Sequence, residues 1–433
     1  MKSWSPDSLH RLAKTLADSG EAQTLEAAHA TFSRYGIRFV IHDSAMADET
    51  LQTIALTAIN AAARSFMGNV SISGNVDREL SVGGFKGTTI GQFVNWLGVD
   101  IDARFSEAWP TIFIGADAAD APAGSILPWA AGWRFGLGNH SCPAALTSLA
   151  PACVAAAGLA VSEAFSVLRG DNPYAGRRRV DLSLWSPFGS TQAGRVDPVV
   201  FPRAWLVGLG HLGQASAWTM GFMQAPEQAL YLQDFDLATE SSLSTSMLCA
   251  ASDVGRPKVE VARDWLRARG YNCVPVERRF DSTQRVSAGD PRVALFGVDN
   301  AAARRVSEGA GFEFIVDAGL GAGFRDFRAL RVRTFPGPST AANLWARDQD
   351  VEDGKRMPAY QHLLAEGAEP CGVTTLASRS VGAPFVGCVA AAYAIAELVR
   401  HEIGAGNHAV IDTNLRDPGA VQVVASAARA VSV

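Results

Sequence analysis

The stretch VGLGHLGQ, from Val207 to Gln214, places glycines at Gly208, Gly210 and Gly213. This G-x-G-x-x-G spacing is typical of a turn between a strand and a helix, whose backbone N–H groups hold the phosphates of a nucleotide. The apolar run AWLVG enters the turn, and the helix-like pattern QASAWTMGFM leaves it. The stretch therefore predicts a nucleotide-binding strand–turn–helix unit. Both a nicotinamide dinucleotide and a reacting ATP can use such a turn, so residues further along the chain must distinguish them.

Apolar runs separated by helical stretches continue on both sides of this turn. The downstream runs are ALYLQD, VALFGV and FEFIVD, and the upstream runs are RFVIHD (38–43), VSISG and TIFIGA, with the helix-like ETLQTIALTAINAAARSF after the first of them. Such alternation predicts parallel sheets, so we expect an α/β protein built from two tandem Rossmann-like, doubly wound domains. No upstream run is followed by a complete G-x-G-x-x-G, because GLGNH at 136–140 lacks the third glycine. The first domain is therefore predicted to be inactive towards nucleotides.

A weak internal repeat supports this division into halves. CVAAAGLAVSEAF begins at Cys153 and CVAAAYAIAELV begins at Cys388, and a V/I-D-x-x-L-x-x-P pattern follows each, at Val180–Pro187 and at Ile411–Pro418. Two matching signals in the same order indicate a duplicated unit. The alternative is a pair of unrelated alanine-rich helices, which are common.

The polar stretch SPFGSTQAGRVDP separates the two halves. Its glycine and proline content is typical of a linker, and we place the domain boundary near Pro198–Pro202. The expected units are a helical segment at 1–36, a first, inactive domain at 37–200 and a second, active domain at 201–433.

The composition narrows the class of protein. The 433-residue chain is 48% hydrophobic, has a formal net charge of −5 and contains no basic run, which argues against nucleic-acid binding. The polar amphipathic N-terminus has no apolar core of the signal-peptide type, and the alanine-rich run near 384–400 is too short and too polar to span a bilayer. We therefore expect a cytoplasmic protein that binds no membrane. The six cysteines include no C-x-x-C pair, which argues against a structural zinc site.

The residues after the glycine turn distinguish the two nucleotides. Asp234, in YLQDFD, stands where an acid would bind the ribose of either one. The stretch DFDLATESSLSTSMLCAASDVGRPKVEVARDWL resembles the D-x-D, S-N-L-x-R-Q and D-x-G-x-x-K-x-x-x-A motifs of the ThiF/MoeB and ubiquitin-activating enzymes, and FGVDNAAARR (296–305) resembles their x-x-x-D-N-x-x-x-R segment. Four motifs in one order are far more specific than the glycine turn alone. The resemblance covers about residues 201–433, and it is only architectural in the first half.

This resemblance implies an adenylation site for ATP and Mg²⁺. It assigns catalytic roles to Lys258, as a positive charge beside the triphosphate, and to Asp299, as the ligand of the Mg²⁺ that neutralises the leaving pyrophosphate. The nucleotide-binding positions that it implies are Gly208, Gly210, Gly213, Asp234, Asp236, Lys258, Asn300 and Arg304, the last two supporting their loop or touching phosphate. Three simpler interpretations stay open: an exposed surface lysine at 258, a helix cap at Asp299, and a turn-forming aspartate at Asp236.

The chain departs from the family pattern at several positions. The family's Asn, Arg and Gln after the D-x-D correspond here to Ser242, Thr245 and Ser246, and a glycine of the turn corresponds to His211. The missing arginine normally supplies positive charge to the phosphates, so its loss weakens the case for full adenylation activity. An arginine of the first half, such as Arg11 or Arg34, is a candidate replacement, because partner subunits supply one in this family.

A cysteine ahead of the second alanine-rich helix carries a further resemblance. EPCGVTTLASRSVGAPFVGCVAAAYAIAEL, with Cys371 near its start, is similar to the region of the autophagy activating enzyme whose cysteine takes the modifier as a thioester. The polar stretch 345–370 before it is predicted to be a mobile crossing loop, within a crossover segment at about 343–383. A thiol suits attack on a mixed anhydride. The alternative is an ordinary part-buried cysteine, and Cys153 and Cys388 are predicted to be core residues.

Together these resemblances imply an activating enzyme for a ubiquitin-like protein, such as those of bacterial conjugation operons linked to antiviral defence. The modifier's C-terminal carboxylate would be adenylated, captured by Cys371 and passed to a conjugating enzyme. The assembly would be a homodimer or an intramolecular pseudo-dimer. The alternatives are a ThiF-like adenylyltransferase that forms no thioester, a catalytically weakened scaffold and, more distantly, a nicotinamide dehydrogenase, which has no use for Lys258 and Asp299.

Overall fold

The computed structural model describes residue 4 and residues 9–99, 106–139, 148–189, 199–321, 323–346 and 356–426. The N-terminal segment forms two helices, α1 (Lys14–Asp18) and α2 (Leu25–Phe32). Helix α2 is amphipathic as predicted, and the Thr24 side chain caps it by accepting a hydrogen bond from the Ala27 N–H. The prediction is wrong for α1, which is only five residues long and wholly buried.

Helix α1 is buried through a polar cluster that joins it to the far end of the sequence. The Lys14 ammonium lies 2.6–2.7 Å from both Asp18 carboxylate oxygens and donates to the Ala377 carbonyl at 3.0 Å. The Tyr360 hydroxyl donates to the same carboxylate at 2.6 Å. Each polar group therefore has a partner inside the protein, which is the condition for burying a charge.

The first half contains a three-stranded parallel sheet in the order β2-β1-β3. Its strands are β1 (Ile37–Ile41), β2 (Val70–Gly74) and β3 (Thr111–Ile114), and the helices α3 (Glu49–Ser65) and α4 (Ile90–Trp96) follow β1 and β2. The Asp48 side chain caps α3 by accepting the Thr50 and Leu51 N–H groups. The three upstream strands and the long helix between the first two are thus confirmed.

A second small sheet completes the first half. Its antiparallel strands are β4 (Pro128–Ala131), β5 (Arg134–Leu137) and β6 (Val180–Ser183), in that order. Helix α5 (Ala150–Arg169) connects β5 to β6 and ends at Gly170, which adopts the left-handed conformation with φ 63°. Among the described helices, α5 is the one long and apolar enough to cross a membrane, with a mean hydropathy of 1.6, but it is almost wholly buried inside this protein.

The second half is built on an eight-stranded mixed sheet in the order β14-β13-β12-β11-β10-β7-β8-β9. The five strands from β11 to β9 are parallel, and β12 to β14 are antiparallel. Their bounds are β7 (Trp205–Val207), β8 (Leu230–Gln233), β9 (Cys273–Val276), β10 (Val293–Phe296), β11 (Phe314–Leu320), β12 (Ala329–Phe335), β13 (His408–Asn414) and β14 (Asp417–Ala425). The four apolar runs at β7, β8, β10 and β11 are confirmed as neighbouring parallel strands.

The part of this half that the structure describes contains the helices α6 (His211–Met220), α7 (Lys258–Arg267), α8 (Ala301–Arg305), α9 (Gly323–Asp326), α10 (Ala341–Leu344), α11 (Pro358–Ala365), α12 (Pro370–Ser378) and α13 (Pro384–Glu402). The prediction of one loop over 345–370 is wrong, because α11 lies inside it and α12 begins at its end. Both helices have proline in the first turn, where its fixed φ favours a helix start. In α11 the side chains of Ala359, Tyr360 and Leu363 are buried. Residues 347–355 lie outside the described residues.

The internal repeat coincides with equivalent structural units. Helix α5 lies between the antiparallel pair β5 and β6, and α13 lies between the antiparallel pair β12 and β13. The two helices pack against each other in the centre of the protein, flanked by α3 and α6. At Gly158 an added Cβ would lie 2.6 Å from the Phe385 carbonyl oxygen, so this glycine permits the close approach. The observation favours duplication over two unrelated helices.

Candidate active site

A cavity of about 960 Å³ lies at the carboxyl ends of β7, β8, β10 and β11. The strand order reverses between β7 and β10, and ligands of open α/β sheets bind at such a switch point. The predicted residues that line the cavity are Gly208, Gly210, Asp234, Asp236, Lys258, Asp299, Asn300 and Arg304. Two predicted residues, Gly213 and Cys371, are not in its wall. Among the described lining residues, the positively charged side chains outnumber the carboxylates, and this excess of positive charge suits a polyanion. The charged residues are Arg11, Lys258, Arg278, Arg279, Arg304 and Arg379 on one side and Asp234, Asp236 and Asp299 on the other.

The three glycines of the turn serve different purposes. Gly208 has a φ of 85°, and an added Cβ would lie 2.8 Å from a Val298 methyl group. At Gly213 a Cβ would lie 2.0 Å from the Gly208 carbonyl oxygen, so this residue packs helix α6 against the turn and does not reach the cavity. Nothing lies within 4 Å of the Cβ position of Gly210. Gly210 therefore leaves space for a phosphate against the backbone just before α6 begins.

Asp234 fastens this turn from the end of β8. One carboxylate oxygen accepts the Leu209 N–H at 2.5 Å, and the other accepts the Asp236 N–H at 2.7 Å. Burial raises the pKa of this carboxyl above its usual value, although both hydrogen bonds favour the charged form. Asp234 therefore shapes the phosphate-binding turn and also faces the cavity in which a ribose would lie.

Lys258 is the first residue of α7, and its side chain reaches the cavity wall. The ammonium lies 3.0 Å from the Asp236 carboxylate, and the Lys258 N–H donates to the Asp236 carbonyl at 2.9 Å. The lysine side chain is only 16% exposed, which disfavours the interpretation as an ordinary surface lysine. Asp236 is thus more than a turn former, because it holds Lys258 in place.

Asp299 and Asn300 follow β10 and have distinct surroundings. The Asn300 side chain caps α8 by accepting the Ala302 and Ala303 N–H groups at 2.8 and 3.4 Å. The capping role considered for Asp299 therefore belongs to Asn300. Asp299 is exposed at the cavity, and no described residue forms a hydrogen bond or ion pair with its carboxylate. In the described ranges no three His, Cys, Asp or Glu side chains could hold a metal together, so Mg²⁺ would need phosphate ligands besides Asp299.

Arg304 supports the wall of the cavity. Its Nε lies 2.9 Å from the carboxylate of buried Asp317, and one Nη donates to the Ala318 carbonyl at 2.9 Å. The guanidinium also lies over the Trp345 ring, 5.5 Å from its centroid. Burial raises the pKa of Asp317. Of the two roles implied for Arg304, the geometry favours support of the loop.

Arg11 and Arg34, the two arginines considered as replacements for the missing family arginine, differ in their position relative to the cavity. Arg11 lines the cavity and is 8% exposed, whereas Arg34 is absent from its wall. The short side chains of the loop after the second aspartate, Ser242, Thr245 and Ser246, also line the cavity. Positive charge therefore reaches this part of the site from the N-terminal segment.

His211, which replaces a family glycine, packs against the segment that follows α12. Its Nε2 is buried and has no hydrogen-bond partner in the described structure. If Gly387 carried a Cβ, this atom would lie 2.6 Å from the His211 Nε2. A Cβ at Gly382 would lie 2.9 Å from the Thr245 methyl group. Burial lowers the pKa of His211 to about 4, so the imidazole is neutral. The two glycines thus let this segment cover the glycine turn.

Cys371 is exposed in the first turn of α12, which excludes the part-buried alternative. The cavity wall includes Thr375, one turn further along this helix, and Ser378 and Arg379 at its end. With a rise of 1.5 Å per residue, Cys371 stands about 6 Å from Thr375 and about 10 Å from Ser378 along the helix axis. The thiol therefore lies outside the cavity wall but within one to two helical turns of residues that form it.

Cys153 and Cys388 are buried inside α5 and α13, as predicted. Burial raises the pKa of both thiols, that of Cys388 to about 12. Neither is a reactive nucleophile in this environment, because the thiolate is the reactive form.

Two domain models of one family match this chain. Residues 36–184 match the BilD N-terminal domain, and residues 201–405 match the BilD C-terminal domain. The chain is also 38% identical over 411 residues to the bacterial E1-like protein BilD of Collimonas sp. (strain OK412), covering 90% of this chain and 88% of that protein. The chain belongs to the BilD family of bacterial E1-like proteins.

Solved structures of E. coli MccB are also similar to this BilD-family chain, at a lower level. One MccB structure is 14% identical with a TM-score of 0.35, over 52% of this chain and 62% of MccB. A structure of MccB with ATP is 16% identical with a TM-score of 0.34, over 52% and 64%. The chain thus spans a little under two thirds of MccB, and the family assignment rests on the BilD matches.

Sequence reasoning missed several cavity residues of this BilD-family chain. Phe235 stands between the two predicted aspartates, is 45% exposed, and has the Arg279 guanidinium 4.2 Å from its ring centroid. Arg278 and Arg379 also line the cavity. An aromatic ring inside D-x-D is a usable signal, because a nucleotide base needs a flat apolar surface. The arginines carry no such local signal.

Proposed function

We propose that this chain activates the C-terminal carboxylate of a ubiquitin-like protein. The carboxylate oxygen attacks the α-phosphorus of ATP, and pyrophosphate leaves. The Cys371 thiolate then attacks the acyl carbon, AMP leaves, and the modifier becomes a thioester that passes to a conjugating enzyme. The observation that supports this proposal best is the cavity at the switch point, where the glycine turn, Lys258 and Asp299 meet beside the helix that carries Cys371. The E1-like name of the BilD relative agrees with it.

The residues present fit ATP with Mg²⁺. The open backbone at Gly210 accommodates a phosphate, and Asp234 keeps carboxylate lone pairs for the ribose beyond its two N–H bonds. Asp299, together with phosphate oxygens, would hold Mg²⁺, and the ion would neutralise charge on the leaving pyrophosphate. Lys258, held by Asp236, contributes positive charge next to the reacting phosphate.

Arg11 takes the role of the family arginine that Thr245 replaces. It reaches the cavity from the N-terminal segment, outside the half that binds the nucleotide. A guanidinium offers several donors in a fixed plane and suits phosphate oxygens. In this proposal the N-terminal segment completes a site that the second half cannot complete alone.

The first half is proposed to be an inactive copy of the second. Strand β1 enters α3 without a glycine turn, whereas β7 enters α6 through Gly208 and Gly210. The packing of α5 on α13 joins the copies as an intramolecular pseudo-dimer. The proposed domains are 37–200 and 201–433, with a crossover segment at about 343–383 that includes the Cys371 helix.

The order of the chemistry defines the test. The probe is a ubiquitin-like protein with a free C-terminal carboxylate, chosen from the neighbouring genes where they encode one, incubated with ATP and Mg²⁺ and analysed on a denaturing gel without reductant. Wild type should gain one modifier mass in a band that a thiol reductant removes. Cys371→Ala should keep ATP–pyrophosphate exchange and lose the band, and Lys258→Ala should lose both. Cys388→Ala is the matched control, since this buried thiol should affect only stability, by about 1 kcal/mol.

Three outcomes would contradict the assignment. A reductant-sensitive band in Cys371→Ala would show that another residue carries the modifier. Exchange without any band in wild type would favour an adenylyltransferase that forms no thioester, an alternative that agrees with the absence of Cys371 from the described cavity wall. Absence of both activities would favour a scaffold, in agreement with the short side chains at Ser242, Thr245 and Ser246.

A further inference from the structure

We propose that Arg64, on helix α3 of the first half, is a positioning residue for the loop 239–250 that lines the nucleotide cavity. This inference rests on the proposed function, because it gives the first half a role in shaping the ATP site of the second. Arg64 is 7% exposed and is not part of any motif in the sequence. Its side chain reaches the second half of the chain and contacts the backbone of this loop.

The contacts of Arg64 converge on the backbone of this loop. Its Nη1 donates to the Cys249 carbonyl at 2.6 Å and to the Leu243 carbonyl at 3.4 Å, and its Nη2 donates to the Met247 carbonyl at 3.0 Å. The Nε donates to the Asn60 side chain at 2.6 Å, and Asn60 donates in turn to the Met247 carbonyl at 3.0 Å. Three carbonyls of one loop are therefore directed at one guanidinium.

The opposite side of the loop faces the cavity. Ser242, Thr245 and Ser246 line its wall. Thr245 and Ser246 lie between the Leu243 and Met247 carbonyls that Arg64 contacts, and Ser242 directly precedes Leu243. On the inner side, Gln214 of α6 accepts the Leu248 N–H at 3.0 Å, so the loop is also tied to the glycine-turn helix. The positions of the three short polar side chains thus depend on how Arg64 and Gln214 fix the backbone.

Arg64 also supplies charge to this part of the site. No described carboxylate lies within ion-pair distance of its guanidinium, whose hydrogen-bond partners are carbonyl and amide oxygens, although the more distant Asp253 also favours its charged form. Burial lowers its pKa to about 10, so the group is still charged at neutral pH. The loop itself contains no arginine or lysine. A cation beneath an anion-binding loop strengthens binding of a triphosphate, because charges interact more strongly where water is excluded.

The experiment compares Arg64→Lys and Arg64→Met with wild type. Arg269→Met is the matched control, because burial lowers the pKa of Arg269 to about 10 as well, but its guanidinium stacks on Trp265 away from the cavity. Binding of ATP with Mg²⁺ is measured by calorimetry without any modifier, and ATP–pyrophosphate exchange is measured with it. Hydrogen exchange over 239–250 reports the order of the loop.

We expect Arg64→Met to raise the ATP dissociation constant and the KM for ATP about tenfold, with a much smaller change in kcat. Arg64→Lys should restore part of the affinity through its charge while the amides of 239–250 still exchange faster. Arg269→Met should match wild type in ATP binding and in loop exchange, even if its melting temperature falls.

The results separate the inference from the function on which it rests. If wild type binds no ATP, the proposed function fails. If wild type binds ATP and both Arg64 variants match its affinity and its loop exchange, the positioning role is wrong. If Arg64→Met does not fold, Arg64→Lys decides alone. An ammonium has three N–H donors on one atom and cannot reproduce the four contacts of the guanidinium, so unchanged binding would overturn the inference.

Discussion

In the buried cluster of Lys14, Asp18 and Tyr360, removing one of the two charges should destabilise the protein more than replacing both charged residues with apolar ones. The Lys14 ammonium contacts both carboxylate oxygens of Asp18 and one carbonyl at the end of α12, and the two charged residues are 2% and 8% exposed. Burial lowers the pKa of Lys14 and raises that of Asp18, so desolvation outweighs the attraction between them. The pair therefore contributes little net stability, although each partner depends on the other.

The magnitudes follow from what each change leaves behind. Asp18→Ala leaves a buried ammonium with the Ala377 carbonyl as its remaining partner, and removing one member of such a pair costs about 3–5 kcal/mol. The double variant Lys14→Met/Asp18→Leu removes both charges of the pair and leaves only the Tyr360 hydroxyl and the Ala377 carbonyl without their partners, so it should lose about 1–3 kcal/mol, less than Asp18→Ala. Tyr360→Phe removes one hydrogen bond to a charged group and should cost about 1.5–3 kcal/mol.

Urea unfolding at pH 7.5 measures these differences in the free energy of unfolding. Limited proteolysis over α11 and α12 gives a local readout, because the cluster ties both helices to α1. Asp18→Ala should be cleaved there faster than wild type and faster than the double variant. The reasoning is refuted if the double variant loses as much stability as Asp18→Ala, or if Asp18→Ala costs less than about 1 kcal/mol.

The remaining predictions concern the site and its pH dependence. Asp299→Ala should leave the melting temperature unchanged and lower ATP–pyrophosphate exchange by orders of magnitude, because several kcal/mol of charge neutralisation are lost. Near-normal exchange in this variant would exclude Asp299 as the metal ligand. ATP with Mg²⁺ should raise the melting temperature and NAD should not, whereas the reverse result would favour a dehydrogenase. Gly387→Ala should impair folding or displace the segment after α12, because its Cβ would lie 2.6 Å from His211. The double variant His211→Ala/Gly387→Ala should relieve this steric clash, and thermal unfolding of both variants measures the difference. Burial lowers the pKa of His10 and His211 to about 4, so the stability from their neutral forms is fully present above about pH 6.5 and is lost as the pH falls towards 4. Between pH 7.5 and pH 5 the urea midpoint of His10→Gln should therefore fall less than that of wild type. An equal fall in both proteins would contradict the lowered pKa of His10.

The parts of this fold that the sequence predicted are those that local patterns encode. The strands at β7, β8, β10 and β11 follow from short apolar runs, and the turn after β7 follows from three spaced glycines. Parallel strands end at the same edge of a sheet, so Asp234 after β8 and Asp299 after β10 line one cavity, and Lys258 at the start of α7 lines it as well. The sequence motifs had indicated these three residues without showing that they meet.

The parts that escaped prediction depend on contacts between distant segments. A polar composition suggested a loop over 345–370, but α11 is stabilised by burying Tyr360 against the N-terminal segment, which no local pattern reveals. Strand β9 is four residues long and contains a proline, so its pattern is weak. The contacts of Arg64 with the loop at 243–249 likewise join residues far apart in sequence. Of the two arginines considered as replacements, only the fold could indicate Arg11 over Arg34.

The wall of the cavity has a consequence for how the protein is made. Arg11 forms one part of it and residues 375–382 form another, with the glycine turn between them in sequence. A ribosome must therefore translate nearly all of the chain between these segments before the wall is closed. A nascent or truncated chain that ends before α12 has the glycine turn and Lys258 but an open-sided site. If ATP binds in this cavity as proposed, an incomplete chain should retain it more weakly than a finished one, so retention of the nucleotide would report complete synthesis.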